Sequence, residues 1–318
     1  MLNNVDIDAV RGVIEGYEGR SLQIAGTGVL DVAEQELIKS LSKKGFSFPT
    51  NEGMRKVTKE PEIDKLENDK TILQIARNIR KTIGGIRENG GGLYAGTNAF
   101  HHGHLAFISK SESILAYDIN PIVPYGFAFI VGLVGGTATP DDFRQQVCEI
   151  ALNPKKIGDY FKGTPMENSG LLSSSLNDSE RERLIKPLFQ GIMTTMNEFN
   201  PAIHGKETPT PPVFCWNEQS YNYFRRLILR DKVAGLVQNV VSKGFIGSLA
   251  NAVSGFGVDR LNTLYFSSIF DPRFAGSSSR KKFVDELNKR KMGEGVQVVE
   301  SFLNGGWVIY DIADSKED

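Results

Sequence analysis

The sequence predicts an α/β fold in which helices are wound on both sides of a mostly parallel sheet. From about residue 90 onward, short apolar runs alternate with helical patterns, which is typical of βαβ units. Several runs are apolar throughout rather than at every second residue, as in strands buried on both faces. The last two runs are joined through Asn304-Gly305-Gly306, a hairpin signal, so we expect the chain to finish with an antiparallel strand pair.

The N-terminal part lacks this alternation. Apolar residues follow helical spacing after Val32 and again from Ile72, which predicts a helical N-terminal segment over residues 1–85. Between the two patterns, residues 46–70 are polar and contain two prolines, so we expect a loop or linker there. The remaining residues, 86–318, are predicted to form the main domain.

The first βαβ unit is predicted from a strand over residues 90–97, a helix over 98–109 and a strand over 113–118. The apolar stretch 122–136 is shorter than a membrane-spanning helix requires and contains Pro124, so we expect a buried element.

Residues 137–216 interrupt the alternation and are predicted to be a helical insertion, beginning where Thr139 can cap a helix that has Pro140 at its first position. Alternation then resumes, and the whole pattern predicts a doubly wound, Rossmann-like sheet. The remaining helices are predicted at 221–230, 245–253 and 279–291, and the remaining strands at 233–241, 261–271, 295–302 and 307–312.

Composition excludes several classes of function. The formal net charge is −1, whereas proteins dedicated to binding nucleic acids or anionic membranes usually carry a basic surplus. Two distant cysteines, Cys148 and Cys215, exclude a disulfide framework and a cysteine-rich zinc site, and they fit a reducing compartment. The first residues lack the pattern of a secretory signal. We therefore expect a cytoplasmic protein that acts on a small molecule, without a membrane span.

Ligands of open α/β sheets bind beyond the carboxyl ends of the strands. Gly96, Thr97 and Asn98 follow the first strand, where a glycine and a helix N-terminus favour phosphate or carboxylate groups. Asp118 ends the second strand, with Asn120 close behind, and its carboxylate can accept hydrogen bonds from a ribose diol. The 22-residue separation of Gly96 and Asp118 is close to the spacing expected in nucleotide-binding folds. Taken singly, each feature is also typical of an ordinary turn.

Two later strands add candidates at the same edge. Gln238 and Asn239 follow the third strand and could bond the edge of an adenine, while Ser267 and Ser268 follow the fourth.

Three of the four histidines cluster at His101, His102 and His104. His101 or His102 at the mouth of the site is a candidate general base or orienting group. No acidic residue or cysteine lies nearby in sequence to complete a metal site, so we expect no metal. Packing of the first helical turn explains the same residues.

The stretch from Leu93 to Phe143, with Ala-Tyr-Asp-Ile-Asn-Pro at its centre, resembles the front half of class I S-adenosylmethionine-dependent transferases. In detail it is similar to the aminocarboxypropyl transferases of betaine-lipid synthesis, and the stretch from Asp259 to Pro272 looks like the fourth strand of that fold. The resemblance implies S-adenosylmethionine as cofactor, Asp118 at its ribose, Gly96 under its methionine part, and Ser267 and Ser268 at the reaction centre.

The leading hypothesis is therefore a transferase that moves a methyl or aminocarboxypropyl group from S-adenosylmethionine to a small molecule. One alternative is an inactive, methyltransferase-like binding module, which the single glycine of the first turn favours. An NAD-type oxidoreductase is disfavoured, because the GxGxxG spacing is missing and the predicted sheet ends in an antiparallel pair.

Overall fold

A computed structural model provides the fold. The structure describes residues 20–22, 83–97, 100–118, 122–162, 167, 172, 177–198, 200, 213–242, 244–267, 269–270, 276–301 and 307–312.

The described residues form a mixed α/β structure around one seven-stranded, mostly parallel sheet with the order β1-β4-β3-β2-β5-β6-β7. Strands β2 to β6 run parallel to one another, whereas β1 and β7 lie antiparallel at the two edges. The strands are β1 (Arg20–Leu22), β2 (Leu93–Gly96), β3 (Ser113–Asp118), β4 (Val233–Val237), β5 (Leu261–Ser267), β6 (Gln297–Ser301) and β7 (Trp307–Asp311).

Helices connect the parallel strands. The described α-helices are α1 (His102–Ser109), α2 (Ile122–Gly136), α3 (Pro140–Leu152), α4 (Ile157–Phe161), α5 (Asp178–Glu198), α6 (Glu218–Leu229), α7 (Phe245–Phe256) and α8 (Gly276–Lys289). Short 3-10 turns at Pro154–Lys156 and Phe214–Trp216 join them within the insertion.

Helices cover both faces of the sheet, and each face has its own apolar core. The larger core combines side chains of α1 to α6 with one face of the strands, including Tyr94 and Tyr265. The smaller core packs α7 and α8 against the opposite face, which includes Tyr117 and Phe266. Successive strand residues point to opposite faces, so strands that are apolar throughout supply both cores.

Helix α2 is a buried element and α3 begins with a capped turn, as the sequence predicts. Most of the α2 side chains that the structure describes are buried in the larger core, and no helix of the described segments is both long and apolar enough to cross a membrane. Helix α3 begins with the expected cap: Thr139 Oγ1 accepts from Asp142 N at 3.1 Å, and Thr139 N donates to the Asp142 carboxylate at 3.2 Å. Pro140 stands at the start of this helix.

The antiparallel C-terminal pair is confirmed by the register of β6 with β7. Strands β4 and β5 each end four residues earlier than predicted, at Val237 rather than at residue 241 and at Ser267 rather than at 271. The N-terminal segment contains β1, a strand that the helical prediction for residues 1–85 did not include. Apart from β1 and residues 83–85, that segment lies outside the described residues.

Candidate functional site

The polar residues singled out in the sequence lie along the carboxyl edge of the sheet. Strands β2 and β3 are joined through α1 in a parallel βαβ unit, so their carboxyl ends share this edge. In the register of neighbouring strands, Asp118 pairs with Val237 and Ser267 pairs with Ser301. The predicted candidates Gly96, Asp118, Gln238 and Ser267 are therefore at the ends of adjacent strands.

Protein atoms fill the junction between β2 and β5. Thr97 is buried; its N–H donates to the carbonyl of Tyr265 at 3.1 Å, and its Oγ1 accepts from the backbone N–H of Ser267 at 2.7 Å. Thr97 thus fastens the end of β2 to the end of β5. In this arrangement, the Thr97 hydroxyl and the backbone N–H of Ser267 are hydrogen-bonded to each other.

Gly96 is surrounded by side chains rather than by open space. A Cβ added to Gly96 would lie 2.5 Å from the Tyr94 hydroxyl oxygen and 3.1 Å from Nδ1 of His102. Tyr94 is two residues before Gly96 on the same strand, so both face the same side of the sheet, and the tyrosine ring leans over the glycine. The structure therefore explains glycine at this position by internal packing.

Tyr94, Tyr117 and Tyr265 lie fully buried on three adjacent strands near the same edge. Tyr117 donates to the carbonyl of Tyr265 at 3.1 Å, reaching past β2, and Tyr265 lies 3.2 Å from the hydroxyl of Ser301. Burial, reinforced by the other two tyrosines, raises the pKa of Tyr94 well above its ordinary value. Burial likewise raises the pKa of Tyr117, so the phenols of Tyr94 and Tyr117 stay protonated and act as neutral hydrogen-bonding groups.

The three clustered histidines are all buried. Nδ1 of His102 lies 3.2 Å from the Tyr94 hydroxyl, and its ring packs edge-on against Phe127 at 4.7 Å between centroids. His101 meets the ring of Tyr265 at 6.1 Å. Burial first, and His101 second, lowers the pKa of His104 to about 3. These surroundings match the packing interpretation, while a catalytic role of His101 or His102 stays a prediction.

Asp118 and Gln238 form a polar corner at the ends of β3 and β4. The backbone N–H of Gln238 donates to the carbonyl of Asp118 at 2.9 Å, which fixes the two residues side by side. Gln238 is 4% exposed, yet its Oε1 has no hydrogen-bond partner among the described residues. The hydroxyl of Ser242, in the turn that follows, is also buried and without such a partner. Gly244 makes room for the amide, because a Cβ there would lie 2.9 Å from Gln238 Nε2.

Asn239 has a local task, since its Oδ1 accepts from the N–H of Val241 at 3.1 Å and thereby closes the turn after β4. Three further candidates, Asn98, Asn120 and Ser268, lie outside the described residues.

A second polar corner lies at the end of β6. Glu300 is 1% exposed, and its Oε2 accepts from the Tyr310 hydroxyl at 3.4 Å and lies 3.8 Å from Nε of Arg280. The Arg280 guanidinium also stacks on the Tyr310 ring, 4.2 Å from its centroid. Burial raises the pKa of the Glu300 carboxyl, while Arg280 and Tyr310 oppose that shift.

Sequence reasoning missed Glu300, Ser242 and the buried tyrosines. The available signal for Glu300 was a charged residue within a predicted strand, directly after Val298 and Val299. Within the described ranges, no group of three or more histidine, cysteine, aspartate or glutamate side chains is placed to hold a metal ion.

Comparison with known families adds one match. The model of a family described as a domain of unknown function (DUF7790) matches residues 74–309, about three quarters of the chain. The chain belongs to the DUF7790 family. The corner of Asp118 and Gln238, the junction between β2 and β5, and Glu300 with Arg280 fall inside the DUF7790 match, whereas Tyr310 follows it and β1 precedes it. No curated protein matches the chain in sequence.

Proposed function

We propose that the DUF7790 domain is a doubly wound, Rossmann-like transferase that binds S-adenosylmethionine and moves its methyl or aminocarboxypropyl group to a small molecule. The corner of Asp118 and Gln238 carries this proposal, because a backbone hydrogen bond joins the two residues at neighbouring strand ends and the buried amide oxygen of Gln238 has no hydrogen-bond partner among the described residues. Reversal of the strand order on either side of β2 supports it, since ligands of open α/β sheets bind at such a point.

The nucleoside part of the cofactor fits this corner. Asp118 ends the strand next to β2, which is where acidic residues of nucleotide-binding folds accept hydrogen bonds from a ribose diol. Buried polar atoms in proteins are nearly always hydrogen-bonded, so Gln238 Oε1 and the Ser242 hydroxyl require partners. The exocyclic amino group and ring nitrogen of an adenine would supply a donor for the amide oxygen and an acceptor for the hydroxyl.

Bound S-adenosylmethionine would supply an already activated sulfonium, so that transfer depends mainly on the positioning of the acceptor nucleophile. In this proposal, Ser267 lies on the β5 side of the junction, where the acceptor would approach. His101 and His102 remain the nearest candidates for orientation or proton removal, held in place by Tyr265 and Tyr94.

Isothermal titration calorimetry with S-adenosylmethionine tests the binding half of the proposal. Wild type is expected to bind, and Asp118→Asn is expected to weaken binding by roughly ten- to a hundredfold, because hydrogen bonds to a charged group contribute about 1.5–3 kcal/mol. Asp259→Asn is the matched control: the same change in an exposed residue preceding β5, at the opposite edge of the sheet. Absence of binding to wild type at millimolar cofactor, or equal loss in both variants, would contradict the proposal.

The base is tested with adenosine and inosine, which differ in the exocyclic amino group. Wild type should prefer adenosine, and Gln238→Leu should remove most of that preference by deleting the acceptor. NAD⁺ belongs in the same titrations, because a strand-end aspartate also serves dinucleotide folds. Binding of NAD⁺ in preference to S-adenosylmethionine would favour the oxidoreductase alternative.

A second candidate is a nucleoside-binding module without transfer activity. The filled junction favours it, because Tyr94 covers Gly96 and Thr97 is bonded to Ser267 where the methionine part of the cofactor would be expected. Binding of adenosine and S-adenosylmethionine with equal affinity would support this candidate. A large gain from the methionine part would contradict it.

A further inference from the structure

Glu300 is a buried carboxylate, and within the described part of the chain only its Oε2 has hydrogen-bonding or ionic partners. Its Oε2 contacts Tyr310 and Arg280, whereas its Oε1 is buried and has no hydrogen-bond partner among the described residues. An ionised carboxylate offers about four acceptor positions, and leaving them unfilled in the interior is costly. The buried Oε1 of Glu300 therefore requires a hydrogen-bond donor.

The Arg280 guanidinium already interacts with Tyr310. Its guanidinium stacks on the Tyr310 ring at 4.2 Å, and its Nε donates to the Tyr310 hydroxyl at 3.0 Å. The 3.8 Å separation from Glu300 Oε2 is longer than a hydrogen bond. The arginine thus partly offsets the carboxylate charge without filling the hydrogen-bonding capacity of Oε1.

Glu300 lies near the carboxyl ends of the strands, where the proposed function places the reaction. Glu300 pairs with Val308 on β7 and with Phe266 on β5, immediately before the paired strand ends Ser267 and Ser301. The corner of Asp118 and Gln238 lies on the other side of β2 in the strand order. If the nucleoside binds at that corner, the carboxyl ends of β5 and β6 remain accessible to the acceptor in this proposal.

We propose that Glu300 binds a protonated amine of the acceptor, so that the substrate class is a small cationic amine. Glu300 Oε1 would accept a hydrogen bond from the ammonium group, whose charge matches the carboxylate. The inference rests on the proposed function, which places the reaction at the carboxyl ends of the strands. A purely structural Arg280–Glu300 pair that ties α8 to the C-terminal hairpin is the competing explanation, and it requires no bound cation.

Saturation-transfer NMR with n-propylammonium, n-propanol and propionate tests the proposal in the presence of S-adenosylmethionine. Wild type is expected to give a signal with the amine and not with the alcohol or the acid. Glu300→Gln should weaken amine binding by roughly tenfold or more, because it removes one partner of a buried charge pair. Glu294→Gln is the matched control, an exposed glutamate in the turn before β6, and should bind as wild type does. Equal amine signals in both variants, or propionate binding in wild type, would overturn the proposal.

A pH series on wild type decides the matter even if Glu300→Gln does not fold. The amine stays protonated throughout, so its signal should disappear as pH falls and the buried carboxyl takes up a proton, above the ordinary value of 4.5 for a glutamate. Circular dichroism at each pH verifies that the fold is intact. An affinity for the amine that does not weaken as pH falls to and below 4.5 would refute carboxylate recognition.

The two proposals fail separately. S-adenosylmethionine binding by calorimetry without any amine signal sinks only the amine site. An amine signal that Glu300→Gln removes, in a protein that binds no S-adenosylmethionine, sinks the transferase and leaves the amine site standing.

Discussion

Replacing Gly96 by alanine would place a methyl group against two fully buried side chains. The new Cβ would lie 2.5 Å from the Tyr94 hydroxyl oxygen, 2.9 Å from its Cζ and 3.1 Å from His102 Nδ1, whereas ordinary contacts begin near 3.4 Å. The tyrosine would have to move by roughly 1 Å within a close-packed core. That movement would also break its 3.2 Å contact with His102.

The expected cost follows from these two effects. Overpacking a well-packed core costs about 1–3 kcal/mol. Loss of a buried hydrogen bond adds about 0.5–1.5 kcal/mol. Gly96→Ala should therefore lower the free energy of unfolding by about 1.5–4.5 kcal/mol. In a Tyr94→Phe background the hydroxyl is gone, and the same change should cost about 1 kcal/mol less.

Urea unfolding followed by circular dichroism measures both effects. Gly247→Ala is the matched control: it lies within α7 with nothing within 4 Å of the added Cβ, and it should stabilise the protein by about 0.5–1 kcal/mol. If Gly96→Ala leaves stability unchanged and instead abolishes S-adenosylmethionine binding, the packing explanation is wrong. Glycine would then serve ligand approach, as the sequence suggested.

Three further outcomes are expected from urea unfolding. Thr139→Ala should cost about 1 kcal/mol by removing the α3 cap, and Thr139→Ser should restore it; equal stability of all three proteins would refute the cap. Asn262→Leu should cost about 2–3 kcal/mol, because Asn262 Nδ2 donates to the carbonyls of Gly91 and Ser109; a neutral change would contradict this. His104, whose pKa is lowered to about 3, binds a proton more weakly when folded, so stability should fall from about pH 6.5 downward by up to about 1.4 kcal/mol per pH unit. His104→Phe should reduce that slope, and an unchanged slope would exclude His104 as its source.

The sequence predicted the strands of the parallel sheet because their residues are buried on both faces and therefore apolar throughout. It overextended β4, since Val240 and Val241 continue the apolar run although the strand ends at Val237. It missed β1, because Arg20, Ser21 and Leu22 form too short a run to show a period and their strand is defined by backbone pairing with β4. Local patterns hold no information about such distant pairing.

For the candidate site, the sequence predicted which residues lie at the ends of the strands, but not how their side chains pack. The convergence of Asp118 and Gln238 follows from the order of adjacent parallel strands, which the βαβ pattern implies. The packing of Tyr94 over Gly96 depends on how a side chain leans within the folded core, so a glycine that suggested a ligand proved to be crowded by its own strand. The sequence marked Glu300 only as a charged residue within a strand, and its contacts with Arg280 and Tyr310 depend on the fold.

On one side of the sheet, the backbone pairing of β4 depends on β1. It pairs along Gly235, Leu236 and Val237 of β4, although it precedes the DUF7790 match. A chain shortened to begin at residue 74 would retain the family domain but leave the backbone N–H and C=O groups of β4 open on that side. Such open edges are templates for strand addition by other chains. Because β1 covers these groups with a strand of only three residues, we expect it to disfavour self-association through β4.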